Sequence, residues 1–318
     1  MKPSEPLAMA HGMNPAEQGG EAAASAGFDA APSSTLRGIK LTVAYDGSNY
    51  LGWQSQCNGR TIQEVLEKVG RQIAGEKVNM HASGRTDAGV HALGQVISFR
   101  THARHTPEVW LRAFNGFLPT DIGVIRVEET SPVFHARVHA VGKCYRYLLH
   151  DGPRPEALAQ RALWQYSRPL DLARMQEAAS LLQGTHDFYS FQSGGSRRRT
   201  TIRTVRDIRL WRPFDPAAAA ESATAQSPTR FLSYPAEARP YPLLLHPAGL
   251  IVLEITADGF LYNMVRTILG TLVQVGTGRR AIDWPAQVLA ARDRRQAGQT
   301  APAQGLYLVS VDYGDGHP

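Results

Sequence analysis

Apolar periodicity in this chain runs strand, helix, strand, strand, helix, strand, and then runs through the same order again. Ile39, Leu41, Val43 and Tyr45 alternate with Lys40, Thr42 and Ala44, the period of a half-buried strand. Thr61 and Glu64 have capping-box spacing, and Ile62, Val65, Leu66, Val69 and Ile73 follow at helical intervals up to Gly75. A short strand at 78–82 precedes the loop 83–89, and another strand covers 95–100. Thr106, Pro107 and Glu108 open a second helix, which ends at Asn115-Gly116 before a strand at 122–127. The second half predicts a strand at 143–150, a helix at 172–182, strands at 201–211 and 250–256, a helix at 260–275 and a strand at 306–312. A helix at 285–291 is extra to the plan. This order predicts an α+β chain of two ferredoxin-like (βαββαβ) units that share an extended antiparallel sheet, with helices on one side and a central basic cleft.

Two stretches interrupt the order. Residues 1–36 are rich in Ala, Gly, Pro and Ser, so burial cannot offset their ordering entropy and a disordered N-terminal tail is expected. The segment at about 213–249, with its Ala-Ala-Ala-Ala run, reads as a low-complexity insertion. The expected organisation is a tail over 1–36, an N-terminal half over 37–140 and a C-terminal half over 141–318. Net charge is +6, but the tail holds Lys2 against Glu5, Glu17, Glu21 and Asp29, which leaves +9 on the body. That surplus suits a polyanion such as RNA, although plain solubility charge would look the same. Cys57 and Cys144 form no C-x-x-C pair, which argues against structural zinc and a disulfide framework. The start has no signal-peptide-like apolar stretch and no run reaches transmembrane length, so a cytoplasmic protein without a membrane partner is expected.

The loop Gly84-Arg85-Thr86-Asp87-Ala88-Gly89-Val90-His91 carries the most chemical information. Two glycines bracket a polar turn, which permits tight backbone and close approach of a ligand. An arginine close to Asp87 would keep its carboxylate ionised and hold it in place. An Asx-turn with a surface ion pair explains the same residues.

The surroundings of that loop resemble the TruA-type tRNA pseudouridine synthases. The first half matches at Tyr45-Asp46-Gly47-Ser48-Asn49-Tyr50-Leu51-Gly52-Trp53-Gln54, Thr61-Ile62-Gln63 and the loop itself. It continues with Asn115-Gly116-Phe117-Leu118-Pro119, Phe134-His135-Ala136-Arg137 and Tyr145-Arg146-Tyr147. The second half adds Gly184-Thr185-His186-Asp187-Phe188, Gly259-Phe260-Leu261-Tyr262-Asn263-Met264-Val265-Arg266 and Gly305-Leu306-Tyr307-Leu308. The likeness covers residues 38–314 in the family's order, outside the insertion.

The resemblance implies isomerisation of uridine to pseudouridine at tRNA positions 38, 39 and 40, in the anticodon stem-loop. Breaking the N1–C1′ bond and joining C5 to C1′ involves no net redox change or hydrolysis, so neither cofactor nor metal is implied. Asp87 matches the family's catalytic aspartate, as nucleophile at C1′ or as base at C2′. Tyr145 matches the active-site tyrosine, whose ring can stack on uracil and whose hydroxyl can serve proton removal at C5. By the same likeness Arg266 pairs with Asp87 across the cleft, and Arg85 handles RNA while the base is extruded. The family also implies a homodimer. Read alone, Tyr145 is equally a core residue, and Arg266 a surface-seeking arginine on an apolar helix.

Arg197-Arg198-Arg199, with Arg203 and Arg206 behind them, form the densest basic run and are candidates for gripping a phosphate backbone. A solvated charged face is the alternative. Trp53, Phe134 and His135 are further candidates for an RNA-facing cleft, and each is equally a packing residue. His102/His105 and His135/His139 lack a third ligand and lie outside the expected helices, so no metal site is expected. A non-catalytic RNA-binding protein or RNA chaperone would share the charge and aromatics, but would not require Asp87, Tyr145 and Arg266 together. A nucleoside hydrolase or glycosylase would release free uracil.

Overall fold

The computed structural model describes residues 35–152, 157–194, 200–213 and 249–314. Nearly all of the expected tail and of the 213–249 insertion therefore lies outside the described residues. The first half runs β1 (Arg37–Tyr45), α1 (Ile62–Ala74), β2 (His81–Ala82), β3 (His91–Thr101), α2 (Pro107–Phe117) and β4 (Ile122–Thr130). The second runs β5 (Gly142–His150), β6 (Trp164–Gln165), α3 (Leu172–Ser180), β7 (Gly184–Asp187), β8 (Ile202–Trp211) and β9 (Leu250–Ala257). It ends with α4 (Met264–Gly276), α5 (Trp284–Ala291) and β10 (Leu306–Asp312).

Local signals explain most boundaries. Thr61 Oγ1 accepts the Glu64 N–H, and Gly75 ends α1 in the left-handed region at φ 69°. Thr106 caps α2, with Pro107 in its first turn. Among the described residues the strands form one sheet in the order β4-β1-β3-β10-β5-β9-β8-β7, with β2 on β3 and β6 on β5. Its pairs are antiparallel except β3–β10 and β5–β6. One apolar cluster runs through both halves, joining Leu41, Leu66 and Phe114 to Leu253, Ile268 and Leu272.

The seam between the halves is narrow. β3 and β10 pair only through Tyr307↔His91 and Leu308↔Ala92. The His91 ring reinforces this seam, stacking on Tyr307 at 4.7 Å between centroids. Its Nδ1 accepts the Gly47 N–H at 3.1 Å, while Nε2 donates to the Gln304 carbonyl at 3.0 Å. Burial lowers the pKa of this imidazole, consistent with the neutral tautomer those bonds require.

Of the boundaries that differ from the periodicity, three have a visible cause. The strand expected at 78–82 shrinks to His81–Ala82, because Glu67 takes the Met80 N–H at 3.0 Å. β3 starts at His91 instead of residue 95, extended by its pairing with β10 across the seam. The helix expected from 260 starts at Met264, since Asn263 sits in the left-handed region at φ 61°. β6 and β7, of two and four residues, are too short to show a period.

Candidate active site

Asp87 stands on a loop held from several directions. Val90 N–H bonds to the Asp87 carbonyl at 3.1 Å, and Trp53 N–H bonds to the Thr86 carbonyl at 3.0 Å. Gly52 allows that second contact: its φ is 85°, and a Cβ there would lie 2.5 Å from the Thr86 oxygen. The Thr86 hydroxyl bonds to the Tyr45 hydroxyl at 2.8 Å, beneath the loop. Gln95 on β3 donates to the Gly84 carbonyl at 2.9 Å, and Lys143 on β5 donates to the Ser83 carbonyl at 2.7 Å. Strands of both halves thus fix the loop that carries the carboxylate.

Arg266, on the first turn of α4, comes from the other half. Its Nε donates to the Ala301 carbonyl at 2.7 Å, and its Nη1 to Asn263 Oδ1 at 2.8 Å. Ala301 returns its own N–H to the Arg266 carbonyl at 3.1 Å. Gly270 permits this packing, because a Cβ there would meet the Gln299 carbonyl oxygen at 1.8 Å. So held, Arg266 Nη1 lies 3.8 Å from Asp87 Oδ2. That is an ion pair without a hydrogen bond.

Asp87 lines a cavity of roughly 1000 Å³, whose walls also include Tyr145 and Asn263, while Arg266 stands behind that wall. Arg85, Arg137, Lys143 and Arg203 also line it, against Asp87 and Asp258 as the acidic members. Four basic side chains against two carboxylates make a predominantly basic opening, suited to an anionic ligand. Tyr145 is buried on β5, paired with Ile255 and Leu308, and meets Phe260 edge-on at 5.0 Å. It joins the aromatic wall and the core at once.

Electrostatics at Asp87 run against the simplest expectation. Burial raises its carboxyl above the ordinary range, and Arg266 only partly opposes that. The nearby sequence partner Arg85 does not pair with it: Arg85 is exposed, with no hydrogen bond or ion pair to a described residue. Removing a carboxylate from water is unfavourable, and a guanidinium at 3.8 Å recovers only part of that loss.

The remaining sequence candidates are distributed differently. Trp53 and Phe134 are buried, which decides between their two readings in favour of packing. Phe134 packs on Tyr313 and under the Lys40 ammonium. His135 is half-buried, stacks on His81 at 4.8 Å and is not among the residues lining the cavity. Arg197, Arg198 and Arg199 lie outside the described residues, while Arg203 reaches the cavity. Sequence reasoning missed Thr86 as a support of the Asp87 loop, and Asn263 and Ala301 as the holders of Arg266. Asn263 lay within a matched motif, but nothing in that motif marks its backbone as left-handed.

Comparison with known proteins identifies the family. The family model for tRNA pseudouridine synthase matches residues 41–140 and 178–314. The chain is 40% identical over 278 residues to tRNA pseudouridine synthase A of Acetivibrio thermocellus, covering 87% of this chain and all of the relative. It is 38% identical to that of Klebsiella pneumoniae over 86% of this chain and 89% of the relative. The corresponding figures for the Pseudomonas aeruginosa protein are 39%, 86% and 85%. The chain that sets Arg266 beside the Asp87 of a basic, aromatic-walled cavity belongs to the tRNA pseudouridine synthase family.

Proposed function

We propose that this enzyme isomerises uridine to pseudouridine in the anticodon stem-loop of tRNA, at positions 38, 39 and 40, with Asp87 as the catalytic carboxylate. The observation that carries the reading is the Asp87–Arg266 pair, 3.8 Å apart at the edge of a basic cavity and supplied by opposite halves of the chain. The N1–C1′ bond of the target uridine breaks, the base turns, and C5 bonds to C1′. The proton on C5 leaves, N1 gains one, and product is an isomer of substrate. Asp87 attacks C1′ or removes the C2′ proton; either route uses the ionised carboxylate, which Arg266 favours. Tyr145 stacks on the extruded base and serves proton removal at C5. Arg85, exposed and without a partner among the described residues, engages a phosphate or holds the base out of its stack. The basic run Arg197–Arg199 and His135 extend the RNA contact.

Two ferredoxin-like units, over 37–140 and 141–318, make up the body. Support comes from strand order, β4-β1-β3-β2 in one half and β10-β5-β9-β8 in the other. α1 packs on α2, and α3 on α4, as helices sharing one side of such a sheet would. The enzyme works in the cytoplasm as a homodimer, needs no cofactor, and has no membrane role; no helix among the described residues is long and apolar enough to cross a membrane. The test is tritium release from C5-labelled uridine in tRNA, run with filter binding on wild type and Asp87→Asn. Wild type should release tritium and form pseudouridine, while Asp87→Asn should bind tRNA and release none. Near-normal turnover by the variant, or free uracil as product, would end this reading.

A further inference from the structure

Asn263 departs from the ordinary behaviour of its residue type at its position. It is the N-cap of α4, where an Asn side chain normally accepts a backbone N–H from the first turn, yet it makes no such bond. Its backbone occupies the left-handed region, which among the described residues only one other non-glycine, Arg292, shares. Such conformations persist where surrounding contacts require them. Here both ends of the amide are committed: Oδ1 accepts from Arg266 Nη1 at 2.8 Å, and Nδ2 donates to Ser193 Oγ at 2.9 Å. Because a guanidinium can only donate, the oxygen must face Arg266, and the Ser193 contact then follows from the amide's two-sided chemistry.

The consequence is geometric. With Nε tied to Ala301 and Nη1 to Asn263, the guanidinium stops 3.8 Å from Asp87 Oδ2, short of the 2.7–2.9 Å of a charge-assisted hydrogen bond. A closed, bidentate pair would engage both carboxylate oxygens and leave none for the sugar. We infer that Asn263 is a positioning residue that anchors Arg266 at a stand-off from Asp87, near enough to favour the carboxylate and too far to capture it. This rests on the proposed isomerase reading and adds a residue to its machinery.

Two substitutions separate this role from a merely structural one. Asn263→Gly keeps the left-handed backbone available and deletes the amide, so Arg266 can close onto Asp87. Asn263→Asp also tolerates that backbone, but sets a second carboxylate against Arg266 and draws its charge away. Besides Asp87 itself, the ionisable groups lining the cavity are Arg85, Arg137, Lys143, Tyr145, Arg203, Asp258 and Tyr262, and neither variant alters them. The expected result is a fall in kcat of about 10- to 100-fold in both variants with little change in tRNA affinity. The acid limb of the kcat–pH profile should move down in Asn263→Gly and up in Asn263→Asp, by about one unit each. Limbs that move the same way, or stay in place with kcat unchanged, overturn the positioning role. Wild-type protein that makes no pseudouridine would instead defeat the isomerase reading itself, and thermal melts of both variants report whether folding is retained.

Discussion

The molecule holds two arginine–carboxylate contacts of opposite character. In the β5–β9 ladder Arg146 and Glu254 sit directly across from each other, joined at 2.7 and 3.1 Å with both side chains under a tenth exposed. At the cavity, Arg266 and Asp87 stand 3.8 Å apart, with 16% and 30% of their side chains exposed. The first pair is closed on itself and holds a sheet. The second is kept open by other partners of the arginine, and its carboxylate faces a cavity that can admit a nucleotide. Distance and accessibility, not the presence of an ion pair, separate structure from chemistry here.

Substitutions can break or sharpen that contrast. Asp87→Asn should cut pseudouridine formation by about 10³-fold or more, while filter binding of tRNA stays close to wild type. Next in size, Arg266→Gln should lower kcat by about 10²-fold. It should also move the acid limb upward, since burial alone then acts on the Asp87 carboxyl. Loss of activity at Arg146→Met, beyond what its stability loss explains, would blur the distinction. That variant strands Glu254 in the sheet and should cost about 3 kcal/mol in urea unfolding, softened by Arg209 at 3.6 Å, with kcat unchanged for the folded fraction.

A smaller effect has a sign that only the open pair predicts. The folded state raises the Asp87 carboxyl above its unfolded value, so folding favours its protonated form. Stability from such a group is fully present below the unfolded pKa and is lost as pH rises through the folded one. Asp87→Asn should therefore melt higher than wild type at neutral pH, with the gain shrinking as pH falls. A lower melting temperature at pH 7 would mean that Arg266 outweighs burial. The least effect is expected from removal of residues 1–36, which should leave turnover unchanged; a large drop would give the tail a part in RNA binding.

The legible parts of the fold are those whose cause is local. Thr61 and Gly75 bound α1, Thr106 and Pro107 start α2, and alternation marks β1, because caps and periods depend on neighbours within a few residues. Asp87, Arg266 and Tyr145 were legible as residue types within motifs. The pairing of Arg266 with Asp87 came from the family resemblance and not from the residues themselves. The role of Asn263 was not legible, since its amide joins Arg266 to Ser193, 70 residues away. Trp53 and Phe134 kept two readings because an aromatic side chain looks the same in sequence whether it faces RNA or core.

By itself, the sequence determined the kind and order of the longer elements, the basic body and the glycine-framed aspartate, all properties of single residues or short windows. Tertiary structure alone decided that β3 and β10 meet through two residue pairs and that Arg266 halts 3.8 Å from Asp87. Periodicity specifies which face of a strand or helix is buried, but not which distant face it is buried against. That choice follows from packing the whole core at once.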